Sequence, residues 1–215
     1  MPLTLIGQKK GMAQVFDQKG KLVVCTVILA EENTVLQIKR KETHGYNSVQ
    51  LAGQPLSASK AGRLSKPLKG QYAKAQVAPC RVIHESRIDD VDAFQIGQKI
   101  DVTLFSNVSY VDVEGATKGK GYQGVMKLYN MDGGPAAHGS GFHRHMGSTG
   151  MRSTPGRCFP NGKRASRMGG DRQTVQNLRV VAIKGNLLLV EGAVPGARSG
   201  TVFIRASIKK KKKGK

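Results

Sequence analysis

Along most of the chain, apolar residues gather in short runs, rich in Val and Ile and bounded by turn residues, which predict strands and not helices. Residues 11–16, a turn over Asp17, Gln18, Lys19 and Gly20, and the Val- and Ile-rich run 22–29 predict a hairpin. Runs at 34–38 and 48–51 continue the pattern, so the first fifty residues predict an antiparallel sheet, a barrel or a meander. Strand signals resume at 81–83, 99–104 and 109–113. A last set lies at 175–183, 187–191 and 201–204, separated by turns at Lys184-Gly185-Asn186 and Pro195-Gly196. Between 57 and 75 the pattern lapses into five cations without an acid, Lys60, Arg63, Lys66, Lys69 and Lys74, with at most a short helix at 71–75. A solvated loop and a phosphate contact both fit that stretch.

Between Leu128 and Val175 these runs stop. Those 46 consecutive residues hold no Ile, Leu or Val, yet they are varied: Gly, Arg, Lys, His, Ser, Met and Pro. Such a segment cannot bury a core of its own, so order in it has to come from outside. From Gly115 to Arg172 there are ten Lys or Arg against two Asp, with 14 of the chain's 27 glycines. The expected partner is a polyanion. The globular domain is therefore expected to be split, 1–126 and 173–208, with 127–172 as a long loop and 209–215 as a lysine tail that stays disordered without phosphates. Run out and back at about 3.3 Å per residue, such a loop could reach on the order of 75 Å.

Charge narrows the partner further. A formal charge of +21 on 215 residues repels itself and is tolerated when counter-charge arrives from outside, most often from nucleic acid. A membrane surface would call for apolar faces among the basic segments, and none is present. The opening residues meet Lys9 and Lys10 too soon for a signal peptide, and 22–30 is too short to span a bilayer, so the protein is expected to stay where it is made. Cys25, Cys80 and Cys158 are odd in number and widely spaced, which fits a reducing compartment. With no Trp and 5% aromatics, binding by stacking platforms alone is disfavoured. The acid cluster Glu85, Asp89, Asp90 and Asp92 reads as solvated surface turned away from the polyanion.

Three motifs invite sharper readings. Gly119, Gly121 and Gly124 match the spacing of a dinucleotide fingerprint, but the chain runs on into Asp132-Gly133-Gly134-Pro135, so the helix and the later acid that the fingerprint needs are not expected. Instead, glycines allow close approach to a surface while Lys118 and Lys120 neutralise phosphates on it. His138, His143, His145 and Cys158 have the wrong spacing for a zinc module, and Arg144 between two of them opposes a cation. No metal and no cofactor are expected; the imidazoles stack on bases or hydrogen-bond to phosphate and sugar oxygens. Phe142 and Phe159 either stack on a base or hold the loop together. No nucleophile with a positioned base is found, so neither an enzyme nor a small-molecule substrate is expected. The candidate nucleic-acid contacts are Lys118, Lys120, Lys127, His138, His143, Arg144, His145, Arg152, Arg157, Lys163, Arg164, Arg167 and Arg172.

The blocks LIGQKKGMAQVFD, TKGKGYQGVMK, HGSGFHRHMGSTGMRSTPGR, FPNGKRASRMGGDRQTVQNL and NLLLVEGAVPG together resemble the bacterial type of the large-subunit ribosomal protein L-three family, in order and over essentially the whole chain. The resemblance implies a mainly β fold: a translation-factor-like β-barrel with a small α+β insertion near 52–95, and a long extended loop that threads through the large ribosomal RNA. It implies a cytoplasmic ribosomal component that binds that RNA near its 3′ end, helps nucleate subunit assembly and touches neighbouring subunit proteins. By motif match, Gly147, Ser148, Thr149, Gly150, Met151, Arg152, Ser153, Thr154 and Pro155 form the loop tip nearest the peptidyl-transferase centre. Some bacterial relatives carry a methylated glutamine where this chain has Met151, so that modification is not expected. Two other classes fit the sequence less well. A free nucleic-acid chaperone or histone-like binder explains the charge but needs no varied loop emitted from a split domain, and a nucleotide-dependent enzyme lacks the helix and acid.

Overall fold

The computed structural model describes residues 2–17 and 20–210, so Gln18 and Lys19 of the predicted turn and Lys211 to Lys215 of the tail lie outside the described residues. The fold is mainly β. Two compact units are present: the first comprises the chain up to Ala116 and again from Arg172, and the second is Thr117–Asp171.

In the first unit, six antiparallel strands close on one another in the order β1-β12-β7-β10-β11-β2. They are β1 (Thr4–Phe16), β2 (Leu22–Leu29), β7 (Tyr110–Ala116), β10 (Arg172–Lys184), β11 (Leu187–Glu191) and β12 (Thr201–Ala206). Alternation explains the wall. Val111 and Val113, Val202 and Ile204, Leu188 and Val190, Leu5 and Ile28 are all buried in the core. The two 13-residue strands carry register shifts, at Lys9/Gly11 in β1 and at Val175/Leu178 and Val180/Ala182 in β10, which bend long strands around a closed wall.

The remaining strands of this unit form a second, four-stranded sheet in the order β5-β4-β3-β6. These are β3 (Asn33–Lys39), β4 (Ser48–Pro55), β5 (Cys80–Arg87) and β6 (Lys99–Ile100), with the one-turn helices α1 (Lys41–His44) and α2 (Ala58–Ala61) and the longer α3 (Lys66–Ala75) between them. The first fifty residues thus feed two sheets and not one. Fully buried Asn33 joins them: its Oδ1 accepts from the Ile6 amide at 3.0 Å, and its Nδ2 donates to the Ile6 carbonyl at 3.1 Å. Gly53 permits the approach, since a Cβ there would stand 2.9 Å from Asn33 Oδ1.

Two local expectations change. The basic stretch holds a ten-residue helix, α3, with Pro67 in its first turn and buried Tyr72 donating to the Cys80 carbonyl at 3.0 Å. Tertiary burial of that one aromatic face outweighs the missing acidic cap. The strand predicted over 99–104 shortens to β6, followed by a 3-10 turn at Val102–Phe105, because Val102 and Phe105 are both drawn into the core, a spacing of three that no flat strand provides. Among the described residues, no helix is long and apolar enough to cross a membrane.

Candidate nucleic-acid interface

The second unit is inserted between β7 and β10, whose ends pair at Ala116 and Arg172. Its first turns run side by side with its last. Thr117 donates to Asp171 at 2.8 Å, Lys120 to Met168 at 2.8 Å, and Met168 to Gly121 at 2.9 Å, all through backbone groups. The two-residue strands β8 (Tyr122–Gln123) and β9 (Ser166–Arg167) extend this neck, and the Tyr122 hydroxyl donates to the Ala165 carbonyl at 2.9 Å. Gly169 allows a close crossing within this neck, where a Cβ would lie 2.1 Å from the Lys118 carbonyl oxygen.

Beyond the neck comes α4 (Val125–Tyr129), capped by extended Gly124 and ended by left-handed Asn130. Its presence corrects the expectation that no helix follows the three spaced glycines. It remains a turn and a half of chain, and the lone buried side chain of the whole unit, Val125, sits at its start. No helix or strand occurs between Tyr129 and Ser166, all of them described residues. The amides and carbonyls of this stretch therefore depend on turns, side chains, water or a partner for their hydrogen bonds.

Every predicted cation of the unit is exposed: Lys118, Lys120, Lys127, Arg144, Arg152, Arg157, Lys163, Arg164 and Arg167. So are His138, His143 and His145, and all nine residues of the candidate tip, 147–155. Local contacts shape a few of them. Phe142 meets His145 edge-on at 5.3 Å, and Arg157 lies 5.2 Å from the centre of the Phe159 ring, so each Phe has a neighbour within the loop while staying more than half exposed. Within the tip, Ser148 Oγ donates to the Gly150 carbonyl at 3.0 Å. Among the described residues no three His, Cys, Asp or Glu side chains are placed to share a metal ion.

Arg172, placed with the loop by sequence, belongs to the barrel unit. It pairs with Ala116 in the β10–β7 ladder, and its guanidinium forms an ion pair with Glu114. Sequence reading also missed the partial burial of Glu85, which it grouped with the surface acids. In β5 this carboxylate accepts from Lys39 at 2.7 Å, Ser48 at 2.8 Å and Gln50 at 2.8 Å. Desolvation acts to raise its pKa, but hydrogen bonds from Gln50, Lys39, Tyr46 and Ser48 outweigh it and hold the group down at about 2. Nearby His84 is stacked on Phe203 at 4.4 Å, and burial pushes its pKa down. Burial also raises the thiols of Cys25 and Cys80, which keeps them protonated and inert.

Over residues 86–185 the chain matches the family model described as ribosomal protein L3. It is similar to the large ribosomal subunit protein uL3 of Protochlamydia amoebophila (strain UWE25), with 49% identity over 219 aligned residues that cover 99% of this chain and 93% of that one. The uL3 protein of Chlamydia trachomatis serovar D is 47% identical, covering 95% of this chain and 96% of its own. That of Chlamydia felis is 45% identical, covering 97% and 98%.

Proposed function

This chain belongs to the uL3 family of large ribosomal subunit proteins, and on that premise we propose that its second unit is the part embedded in ribosomal RNA. The protein is a structural component of the large subunit of a bacterial ribosome, in the cytoplasm. Its barrel unit holds itself together by apolar burial and offers a fixed base. The inserted unit binds the large-subunit RNA, near its 3′ end as the family resemblance implies, and helps nucleate assembly. The tip at 147–155 lies toward the peptidyl-transferase centre and steadies RNA that does the chemistry. Other subunit proteins are its remaining partners.

One observation carries this reading: a unit with a single buried side chain presents all of its cations outward. Self-packing does not explain such a surface, whereas release of counterions from phosphates does. Glycines keep the backbone thin enough to run between RNA helices, where side-chain bulk would collide.

The test is binding of the full chain to large-subunit RNA across a salt series. With about eight phosphates neutralised, log K should fall with log salt at a slope of roughly −6 to −7. Arg152→Ala and Arg157→Ala should each flatten the slope by about one and impair subunit assembly, with the β circular-dichroism signal unchanged. A saturable preference for duplex DNA at moderate salt would favour a histone-like binder instead.

A further inference from the structure

Part of the inserted unit is folded back on itself more tightly than its composition suggests. The backbone at Gly133 and Gly134 crosses the backbone at Phe142 and His143. A Cβ built on Gly134 would stand 1.9 Å from the Phe142 carbonyl oxygen, and one on Gly133 would stand 2.3 Å from that of His143. No side chain fits at either place, and the Gly134 amide donates to the His143 carbonyl at 3.2 Å. The crossing sets Pro135 beside the His143 ring, with Nδ1 3.0 Å from the Pro135 carbonyl oxygen.

That contact decides the ring's chemistry. A peptide carbonyl can only accept, so Nδ1 must carry the hydrogen, and the neutral ring then has its lone pair on Nε2. The side chain is exposed, and Nε2 has no hydrogen-bond partner among the described residues. In its neutral form His143 thus presents an acceptor outward in the middle of a strongly cationic unit.

We propose that His143 accepts a hydrogen bond from a donor group of the RNA, either a ribose 2′-hydroxyl or a guanine exocyclic amine. The inference rests on the RNA-bound reading of this unit and deepens it. Phosphate oxygens are acceptors and leave the Nε2 lone pair unmet, while adjacent Arg144 is the group suited to them. Both candidate donors lie in the wide, shallow minor groove of A-form RNA, and the 2′-hydroxyl is the group that DNA lacks. With the 2′-hydroxyl as the donor, His143 would also give the loop a means of telling RNA from DNA beyond charge.

Analogue interference tests this directly. The full-length protein selects from large-subunit RNA transcripts that carry scattered 2′-deoxy or inosine nucleotides, each introduced as a phosphorothioate, with unmodified-base phosphorothioates as the reference. With the wild-type chain, 2′-deoxy or inosine substitution at one or a few positions should lower retention about three- to tenfold, the scale of one hydrogen bond. Those positions should go silent with His143→Asn, which keeps an N–H near Nδ1 but has no acceptor at Nε2. His143→Gln, whose amide oxygen reaches the Nε2 position, should recover part of the signal. Gly134→Ala should lose it, whereas Gly141→Ala, with nothing within 4 Å of its Cβ, should keep it. Which analogue interferes tells the ribose from the base. Identical maps for wild type and His143→Asn would overturn the proposal, as would changes confined to positions sensitive to the phosphorothioate alone. A wild-type chain that selects no RNA at all would bring down the RNA-bound reading first, and this inference with it.

Discussion

Glu85 ties three strands together through one side chain, since its partners lie on β3 (Lys39) and β4 (Ser48 and Gln50) while it stands on β5. Its pKa of about 2 in the folded chain lies below the ordinary value of 4.5, so the native state favours the charged form. The sign follows: this stability is complete above about pH 4.5 and is lost as pH falls toward 2. Glu85→Gln should cost ~2 kcal/mol at pH 7, on the scale of a partly buried charged hydrogen-bond cluster. In a chain of this size that is a drop in thermal midpoint of roughly 4–8 °C. Melting curves of the two proteins should converge between pH 4.5 and pH 2. A gap that stays constant through that range would mean that the carboxylate's charge contributes nothing.

At the scale of elements, the neck of the inserted unit depends on one crossing. Gly169 has φ of +78° and no room for a methyl group against Lys118, so Gly169→Ala should open the pairing between 117–123 and 165–171. Gly119→Ala, in open space, should not. Hydrogen exchange of the Lys120 and Met168 amides measures this: both should speed up in the first variant only, while amides of β7 and β12 stay protected. Neither β8 nor β9 was legible in the sequence, because a two-residue strand has no periodicity to read. Strands were legible where an apolar run meets turn residues, as in β11 and the Lys184-Gly185-Asn186 turn before it. What alternation could not convey was partnership. It gives a strand's faces but not its neighbour, so it predicts one sheet for β2 and β3, adjacent in sequence, although they pair into two, and it predicts a surface place for Glu85 because it lacks the register that sets it opposite Gln50. Exposure of the loop cations, by contrast, follows from composition alone, since a stretch without Ile, Leu or Val has nothing to hide them behind.

Taken as a whole molecule, the chain sets a self-sufficient barrel unit against an inserted unit that cannot close its own free-energy balance. Ordering a residue costs roughly 1–2 kcal/mol of backbone entropy, and the second unit offers one buried valine, worth no more than about 3 kcal/mol, plus the hydrogen bonds of its neck and of the Gly133–Gly134 crossing. Between 144 and 164 there is no paired strand or helix to add to that. Trypsin has five sites in the interval, Arg144, Arg152, Arg157, Lys163 and Arg164, all exposed. Free protein should therefore be cut there first, ahead of the neck cations Lys118 and Lys120, and should leave a barrel fragment that still melts cooperatively. In the assembled large subunit the same bonds should resist cleavage, because RNA supplies both the missing hydrogen-bond partners and the counter-charge. Adding large-subunit RNA to the free chain at low salt should restore part of that protection, and raising the salt should remove it along the same steep slope as the binding constant. Equal resistance in the free and assembled states would mean that the loop is ordered by the chain itself, and that its cations serve something other than acquiring a shape.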